Sequence, residues 1–260
     1  MVLRGNFLSE TLRLGTNIQI YIPHDKSGPY RVIYLLHGLH GDQGTWLDQT
    51  MIPVFARKYN AIMVIPEASR SFYLNLKYGR KYFDFVSDEL PRLTRGILNI
   101  SEKREDTAVM GCSMGAYGAL KVALSRPDRF GFCGAISPAC LYFNDILNSL
   151  RDNVSSYRET GAEAEETLID LYCAFGEGLE CKKEYDIIEL ARSFPNNAPK
   201  PKIYVTCGTE DKLRDENLRF RDEIKSTGLD YSYEEWAGGH DWYFFNDALK
   251  KTLEIWYGEN

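Results

Sequence analysis

The sequence predicts an α/β fold built on a mostly parallel, doubly wound sheet, and two observations carry this prediction. Short apolar segments of strand type alternate with longer segments of helical periodicity, which is the order expected of a parallel sheet covered by helices. The first two segments instead alternate apolar and polar residues around Gly15-Thr16, which indicates an antiparallel hairpin at the sheet edge. With 260 residues, 44% of them hydrophobic, we expect a single domain over residues 1–260.

The predicted strands are apolar or alternating runs that end at turn-forming residues. Loops are expected between them at residues 23–29 and 67–80. In chain order the predicted strands are Ser9–Leu14, Asn17–Ile22, Tyr30–Leu36, Ala61–Ile65, Thr107–Met110, Phe132–Ile136, Lys202–Cys207 and Tyr231–Trp236.

Helical spacing of apolar residues is found between most of these strands. Pro53 is predicted to interrupt the first helix, and Pro91 to kink the second or delay its start. The polar stretch 141–195 lacks a clear strand and is predicted to form two or three short helices, an insertion that would cover the site as a lid. The other predicted helices are Trp46–Lys58, Tyr82–Leu98, the segment after Gly115, Leu213–Thr227 and a terminal helix through Trp256.

Charge and composition argue against several classes of protein. A net charge of −6 without a long Lys/Arg run disfavours binding to nucleic acid or to an anionic membrane. Residues Met1–Glu10 lack a basic region followed by an apolar stretch, so we expect a cytoplasmic protein without a signal peptide or membrane span. The six cysteines and four histidines show no metal-ligand spacing, and the cysteines are expected to be reduced and buried.

The pentapeptide Gly111–Gly115 has the pattern G-x-S-x-G and lies where a strand is predicted to turn into a helix. Such a turn forces its central residue into strained backbone space, so the neighbours must be small. Gly111 and Gly115 provide that room, and Ser113 is predicted to stand exposed at the tip of the turn as a nucleophile. Cys112 is one residue out of register and is interpreted as a packing residue.

A serine hydroxyl is a weak nucleophile that needs a base, and the base needs an acid to orient it. Functional residues of an open α/β sheet gather beyond the carboxyl ends of its strands. Asp211 follows one late strand, and His240 follows the next within a glycine-flanked loop. Ser113, Asp211 and His240 therefore form a candidate triad, in the chain order expected of an α/β-hydrolase.

Other acids and histidines compete with this choice. Asp211 is favoured because it falls in a tight turn directly after its strand, whereas Asp215 should lie on the following helix. Asp241 cannot easily reach round to the ring of its neighbour His240. His24 is expected to be solvated in an early loop. Glu210 remains an alternative for the acid. His37 and His40 flank the glycine-rich turn, where either could have a structural role instead of acting as the base.

Acyl transfer also needs hydrogen-bond donors for the oxyanion that develops on the carbonyl oxygen. One donor is normally the backbone N–H after the nucleophile, here Met114. The other comes from the glycine-rich loop His37–Gly41, where the N–H of Leu39 is favoured. The same glycines would also permit a tight turn, and the two interpretations are compatible.

Over most of its length the chain resembles the esterase D and tributyrin-esterase branch of the α/β-hydrolases, which is related to S-formylglutathione hydrolases and to feruloyl and acetyl-xylan esterases. The resemblance implies the same triad, no metal and no organic cofactor, and it allows a homo-oligomer. The segments that carry it are Tyr34–Leu39 with Gly41 and Trp46, Tyr78–Pro91, Gly111–Ala119, Cys207–Asp211 and Gly239–Trp242.

The expected function is a serine carboxylesterase that hydrolyses short-chain acyl esters through an acyl-enzyme on Ser113. Carbohydrate-linked or feruloyl esters are among the expected substrates. A thioesterase of the S-formylglutathione hydrolase type is the second hypothesis, although the sequence has His40-Gly41 where those enzymes typically carry Thr-Cys. A binding module without activity is a third hypothesis, and the complete triad argues against it.

Three tyrosines in or near the loop 67–80 are candidates for stacking on a sugar or feruloyl group. Aromatic packing beneath the loop is at least as good an interpretation of them. These residues are Tyr73, Tyr78 and Tyr82.

Overall fold

The computed structural model describes residues 1–23 and 28–258, and within them the strands form one eight-stranded sheet of order β1-β2-β4-β3-β5-β6-β7-β8. The pairs β1–β2 and β2–β4 are antiparallel and all other pairs are parallel. This arrangement confirms the predicted fold class. The strands are β1 (Val2–Ser9), β2 (Leu14–Tyr21), β3 (Arg31–Leu36), β4 (Ala61–Pro66), β5 (Thr107–Cys112), β6 (Phe132–Ile136), β7 (Lys202–Gly208) and β8 (Asp230–Trp236).

Helices cover both faces of the sheet, because alternate side chains of its central strands point to opposite sides. In β3, Tyr34 and Leu36 pack in the core that the helix Met114–Ser125 covers, whereas Ile33 and Leu35 pack in the core that the helix Trp242–Tyr257 covers. The helices are α1 (Thr45–Gln49), α2 (Ile52–Lys58), α3 (Tyr82–Asp84), α4 (Leu90–Ile97), α5 (Met114–Ser125), α6 (Phe143–Arg158), α7 (Ala162–Phe175), α8 (Ile187–Arg192), α9 (Arg214–Ile224) and α10 (Trp242–Tyr257). Among these described helices, none combines the length and apolar character needed to cross a bilayer.

The edge hairpin exists, but its predicted boundaries are wrong. The first strand ends at Ser9 instead of beginning there, and Gly15 lies in β2, paired with Leu8, instead of in the turn. The carboxylate of Glu89 accepts hydrogen bonds from the hydroxyl of Ser9 and from the N–H groups of the next two residues, which fixes the turn at residues 10–13. The alternating pattern of the sequence fits several registers equally well, so this distant contact decides between them.

Pro53 lies in the first turn of a free helix end, where a missing N–H costs little, whereas Pro91 lies inside a continuous helical stretch from Tyr82 to Ile97. Pro53 is in the first turn of α2, so the helix predicted across it is two separate helices. Pro91 is in the first turn of α4, after a π-helical segment at Phe85–Glu89 that joins α3 to α4. The carbonyl of Ser87, which residue 91 would normally bond, accepts from the guanidinium of Arg129 at 3.1 Å.

The polar stretch between β6 and β7 forms α6, α7 and α8, as predicted. The 14-residue α7 is not short, whereas the 16 residues of α6 are divided by a non-helical backbone at Asn153, with φ −136° and ψ 24°. Two buried side chains of α5 hold this insertion to the sheet. The hydroxyl of Tyr117 donates to the carbonyl of Tyr185, and the amine of Lys121 donates to that of Glu184, both at 2.6 Å. The role of the insertion as a lid stays a prediction.

Two further predictions concern the state of the cysteines and the position of His24. All six cysteines are free thiols, of which Cys112, Cys133 and Cys207 are buried as expected and the other three are half-buried. His24, predicted to be a solvated residue of the loop 23–29, lies outside the described residues.

Candidate active site

Ser113 stands in the sharp turn between β5 and α5 with φ 54° and ψ −120°, a strained conformation for a residue with a side chain. Its N–H donates to the carbonyl of Ile136 at 3.0 Å, which ties the turn to the neighbouring strand. A Cβ atom at Gly115 would collide with the carbonyl oxygen of Leu36, so only glycine allows α5 to approach β3 this closely. The strand, turn and helix predicted around Ser113 are therefore present.

The acid and the histidine predicted from the sequence are in contact. Asp211 follows β7 and His240 follows β8, and the Oδ2 atom of Asp211 lies 2.8 Å from Nδ1 of His240. The side chain of Asp211 is fully buried, whereas that of His240 is 20% exposed. The N–H of Leu213 donates to the other carboxylate oxygen at 2.8 Å, so both oxygens of Asp211 are fixed.

These contacts set the ionisation of Asp211. Burial raises the pKa of its carboxyl group, but the hydrogen bonds from His240 and from the N–H of Leu213 outweigh burial and hold the pKa below its usual value. Asp211 is therefore a carboxylate near neutral pH. As an acceptor, it keeps the proton of His240 on Nδ1 and leaves Nε2 as the basic nitrogen.

The lowered pKa of Asp211 predicts how stability depends on pH. A carboxyl group with a folded-state pKa below its unfolded value of about 3.9 stabilises the fold above that pH, and this contribution disappears as the pH falls through the folded-state pKa. We expect the free energy of unfolding of the wild type to fall more steeply below about pH 4 than that of Asp211→Asn. Urea unfolding of both proteins across this range tests the prediction, and parallel curves would contradict it.

The competing acids have other partners. Glu210 accepts from the N–H of Gly238 at 2.7 Å, and Asp241 accepts from the N–H of Phe244 at 3.0 Å, where it caps α10. Asp215 lies in the first turn of α9, as predicted.

Ser113 and His240 line one cavity of about 360 Å³ at the carboxyl ends of the parallel strands. Its size lies near the lower end of the range for small-molecule sites. Glu163 of α7 contributes to the wall, so the insertion borders the site. The other lining residues are Gly38–Gly41, Thr45, Cys112, Ala139, Lys212, Leu213, Trp242 and Phe245.

His37 is buried beneath the glycine-rich loop and is neutral. The N–H of Ala68 donates to its Nε2 at 3.0 Å, so Nδ1 carries the ring proton and donates to the carbonyl of Gly38 at 2.8 Å. Burial also lowers the pKa of His37. His40 instead has an exposed side chain, with Nε2 3.5 Å from the carboxylate of Glu163.

Of the two predicted oxyanion donors, Met114 follows Ser113 in the chain and Leu39 belongs to the loop that borders the same cavity. Leu39 lines the cavity, and Met114 is the first residue of α5. In the described part of the chain, no protein acceptor receives a hydrogen bond from the N–H of either residue. Both groups therefore have free hydrogen-bonding capacity.

Sequence reasoning missed the contact between Phe245 and the histidine. The ring of Phe245 packs edge-on against His240 with centroids 5.1 Å apart, and Trp242 packs against Phe245 at 5.4 Å. Phe245 follows Asp241, the N-cap of α10, by four residues. Helical spacing could therefore have predicted that its side chain faces the loop that carries His240.

The tyrosines proposed for stacking on a ligand do not line the cavity. Tyr73 is fully buried, so that prediction is wrong and aromatic packing is the correct interpretation. Tyr82 is half-buried, and Tyr78 is exposed outside the cavity.

Cys112 is chemically unsuited to act as a rival nucleophile. It is 1% exposed, and burial raises the pKa of its thiol to about 12, so the thiolate is scarce near neutral pH. We expect Cys112→Ala to change kcat/KM for p-nitrophenyl acetate by less than about threefold. A loss comparable to that of Ser113→Ala, in a protein that remains folded by circular dichroism, would contradict this assignment.

The fold and the site together define an α/β-hydrolase: a strained serine elbow and an Asp–His pair lie at the carboxyl ends of a mostly parallel sheet. The family model described as "Putative esterase" matches residues 9–254. The chain belongs to this esterase family, and its class is that of an ester-hydrolysing serine hydrolase.

Known proteins of this class are similar over almost the whole chain. An acetyl esterase of Caldicellulosiruptor saccharolyticus is 32% identical over 265 residues, with 97% of each chain covered. Among solved structures, the fluorophosphonate-binding serine hydrolase F of Staphylococcus aureus is 25% identical, with 98% of both chains covered and a TM-score of 0.83. An S-formylglutathione hydrolase of the same organism is 26% identical, with the same coverage and a TM-score of 0.82. The resemblance drawn from the sequence motifs is thus confirmed.

Proposed function

We propose that the protein is a carboxylesterase for short-chain acyl esters, with Ser113, Asp211 and His240 as its catalytic triad. The observation that carries the proposal is the 2.8 Å bond from Asp211 to His240, whose side chain lines the same cavity as the strained Ser113. This combination supplies a nucleophile, a base and an orienting acid.

In the first half of the reaction, Oγ of Ser113 attacks the carbonyl carbon of the ester while Nε2 of His240 takes the serine proton. The negative charge that forms on the carbonyl oxygen is held by the N–H groups of Leu39 and Met114. His240, now cationic and stabilised by Asp211, gives its proton to the alcohol oxygen as the C–O bond breaks. The alcohol leaves, and the acyl group remains on Ser113.

In the second half, a water molecule takes the place of the alcohol. His240 accepts a proton from the water as its oxygen attacks the acyl carbon, and the same two N–H groups hold the oxyanion. The bond to Ser113 then breaks, its oxygen recovers the proton from His240, and the carboxylic acid is released.

The size of the cavity and the relatives support a small acyl group. About 360 Å³ must hold the acyl group and part of the alcohol, which favours acetyl or butyryl over long chains. The acetyl esterase with 32% identity is consistent with this choice. Acetylated carbohydrates stay within the proposal as sources of such acyl groups, and feruloyl esters stay within it as substrates that place a larger acyl group on Ser113.

A thioesterase activity of the S-formylglutathione type is the second candidate. The similar S-formylglutathione hydrolase favours it. His40 and Gly41 argue against it, because they replace the Thr-Cys typical of those enzymes in the loop that borders the cavity.

The remaining parts of the proposal concern location and partners. We infer a cytoplasmic protein that binds no nucleic acid, because all six cysteines are free thiols and the net charge is −6. A homo-oligomer rests on the family resemblance alone.

Hydrolysis of p-nitrophenyl acetate, butyrate and octanoate by the purified protein tests the proposal. We expect kcat/KM to be highest for acetate or butyrate and to fall for octanoate. Absence of turnover on all three would contradict ester hydrolysis, and a preference for octanoate would contradict a short acyl pocket. Methyl ferulate, acetylated xylo-oligosaccharides and S-formylglutathione then compare feruloyl-ester, carbohydrate-ester and thioester substrates.

A further inference from the structure

The loop 67–80 holds three residues with side chains in the left-handed backbone region within five positions. They are Ser69, Phe72 and Tyr73, with φ values of 51°, 50° and 53°. Such conformations are unfavourable for bulky side chains and persist only where surrounding contacts impose them. The contacts of this loop therefore indicate which interactions impose the strained backbone.

The strained backbone buries Tyr73 completely against the loop that follows β3. Its ring centroid lies 5.9 Å from that of His37, and a side chain at Gly118 of α5 would collide with it. The hydroxyl of Tyr73 donates a hydrogen bond of 2.9 Å to the backbone carbonyl of His37.

This bond fixes the first of two consecutive peptide planes that lead to the oxyanion donor. The peptide between His37 and Gly38 cannot rotate without breaking its bond to Tyr73. The next peptide, between Gly38 and Leu39, is fixed by its carbonyl, which accepts from Nδ1 of His37 at 2.8 Å and from the N–H of Gly41 at 3.0 Å.

The second plane sets the direction of the Leu39 N–H. In a planar trans peptide, the carbonyl and the following N–H point in opposite directions. Because the carbonyl of Gly38 points towards His37 and Gly41, the N–H of Leu39 points away from them. Loss of the Tyr73 hydroxyl would leave the His37 carbonyl without this donor, which favours rotation of the whole segment.

We propose that Tyr73 is a positioning residue of the oxyanion hole, which holds the N–H of Leu39 in the direction that transition-state stabilisation requires. The proposal rests on the proposed function for the role of Leu39. Tyr73 touches no reacting atom and acts through the carbonyl of His37.

The substitution Tyr73→Phe keeps the ring and removes only the hydroxyl. We expect kcat for p-nitrophenyl acetate to fall about tenfold, less than the 10²- to 10³-fold loss of a complete oxyanion donor, with KM changed by less than about twofold. We also expect faster amide hydrogen exchange in the segment 36–41, because the Gly41 N–H loses protection when the Gly38 carbonyl moves.

Tyr34→Phe is the matched control. Tyr34 is also fully buried and its hydroxyl also makes one hydrogen bond, of 2.8 Å to Thr94, and neither residue lines the catalytic cavity. The control should lose similar thermal stability but keep wild-type kcat and wild-type exchange in the segment 36–41.

Wild-type kcat and exchange in Tyr73→Phe, or an equal loss of kcat in both variants, would overturn the proposal. If the wild type hydrolyses no ester, the proposed function fails. The exchange comparison still decides in that case whether Tyr73 holds the segment.

Discussion

Replacing Ser113 with alanine is expected to lower kcat for p-nitrophenyl acetate by about 10⁵- to 10⁶-fold, the range for loss of a serine nucleophile. No acyl-enzyme can form without its oxygen, and the remaining rate comes from binding and from the oxyanion donors. The fold should survive, because the hydroxyl is removed from a half-buried tip of a turn whose backbone contacts remain. Steady-state kinetics on protein checked by circular dichroism measures the effect.

Ser125→Ala is the matched control for this prediction. Ser125 is also half-buried and lies at the other end of α5, and alanine suits a helix well. The control should keep wild-type kcat. If Ser113→Ala retained more than a few per cent of the wild-type rate, the nucleophile would have to be another group.

Replacing Asp211 with asparagine is expected to lower kcat by about 10⁴-fold, as in other triads. The amide can donate to Nδ1 of His240, which favours the ring tautomer with its proton on Nε2, and that nitrogen is then no longer a base. The amide also carries no charge to stabilise the cationic ring. KM should change little, because Asp211 is buried beneath His240 and does not line the cavity.

Asp241→Asn provides the same chemical change beside the same histidine. Asp241 caps α10 through the N–H of Phe244, and asparagine caps helices about as well as aspartate. We therefore expect near wild-type activity in this variant. An equal loss in both variants would show that the orienting acid had been assigned wrongly, and a loss in Asp241→Asn alone would assign it to Asp241.

The sequence predicted the features that depend on local pattern. The central strands are apolar runs, and the elbow is a five-residue motif whose glycines have a steric reason. Asp211 and His240 could be chosen because each follows a late strand, and the two side chains are in contact at the ends of the neighbouring strands β7 and β8.

The features that the sequence did not predict depend on contacts between distant residues. Glu89 decides the hairpin register from about 80 positions away, and no pattern within the hairpin indicates it. Tyr73 reaches a carbonyl 36 positions earlier, so its aromatic ring suggested a ligand contact where the structure has a buried hydrogen bond. The length of α7 was underestimated because polar sequence weakens the helical pattern.

The most direct test of the central claim, an acyl-enzyme on Ser113, is to stop the reaction with p-nitrophenyl acetate in acid and map the acetyl group by fragmentation mass spectrometry. Fragmentation must resolve Ser113 from the adjacent Cys112. We predict acetyl on Ser113 in the wild type and in Cys112→Ala, and none in Ser113→Ala. Acetyl on Cys112 in the wild type, or a label that persists at another residue in Ser113→Ala together with wild-type turnover, would contradict the mechanism.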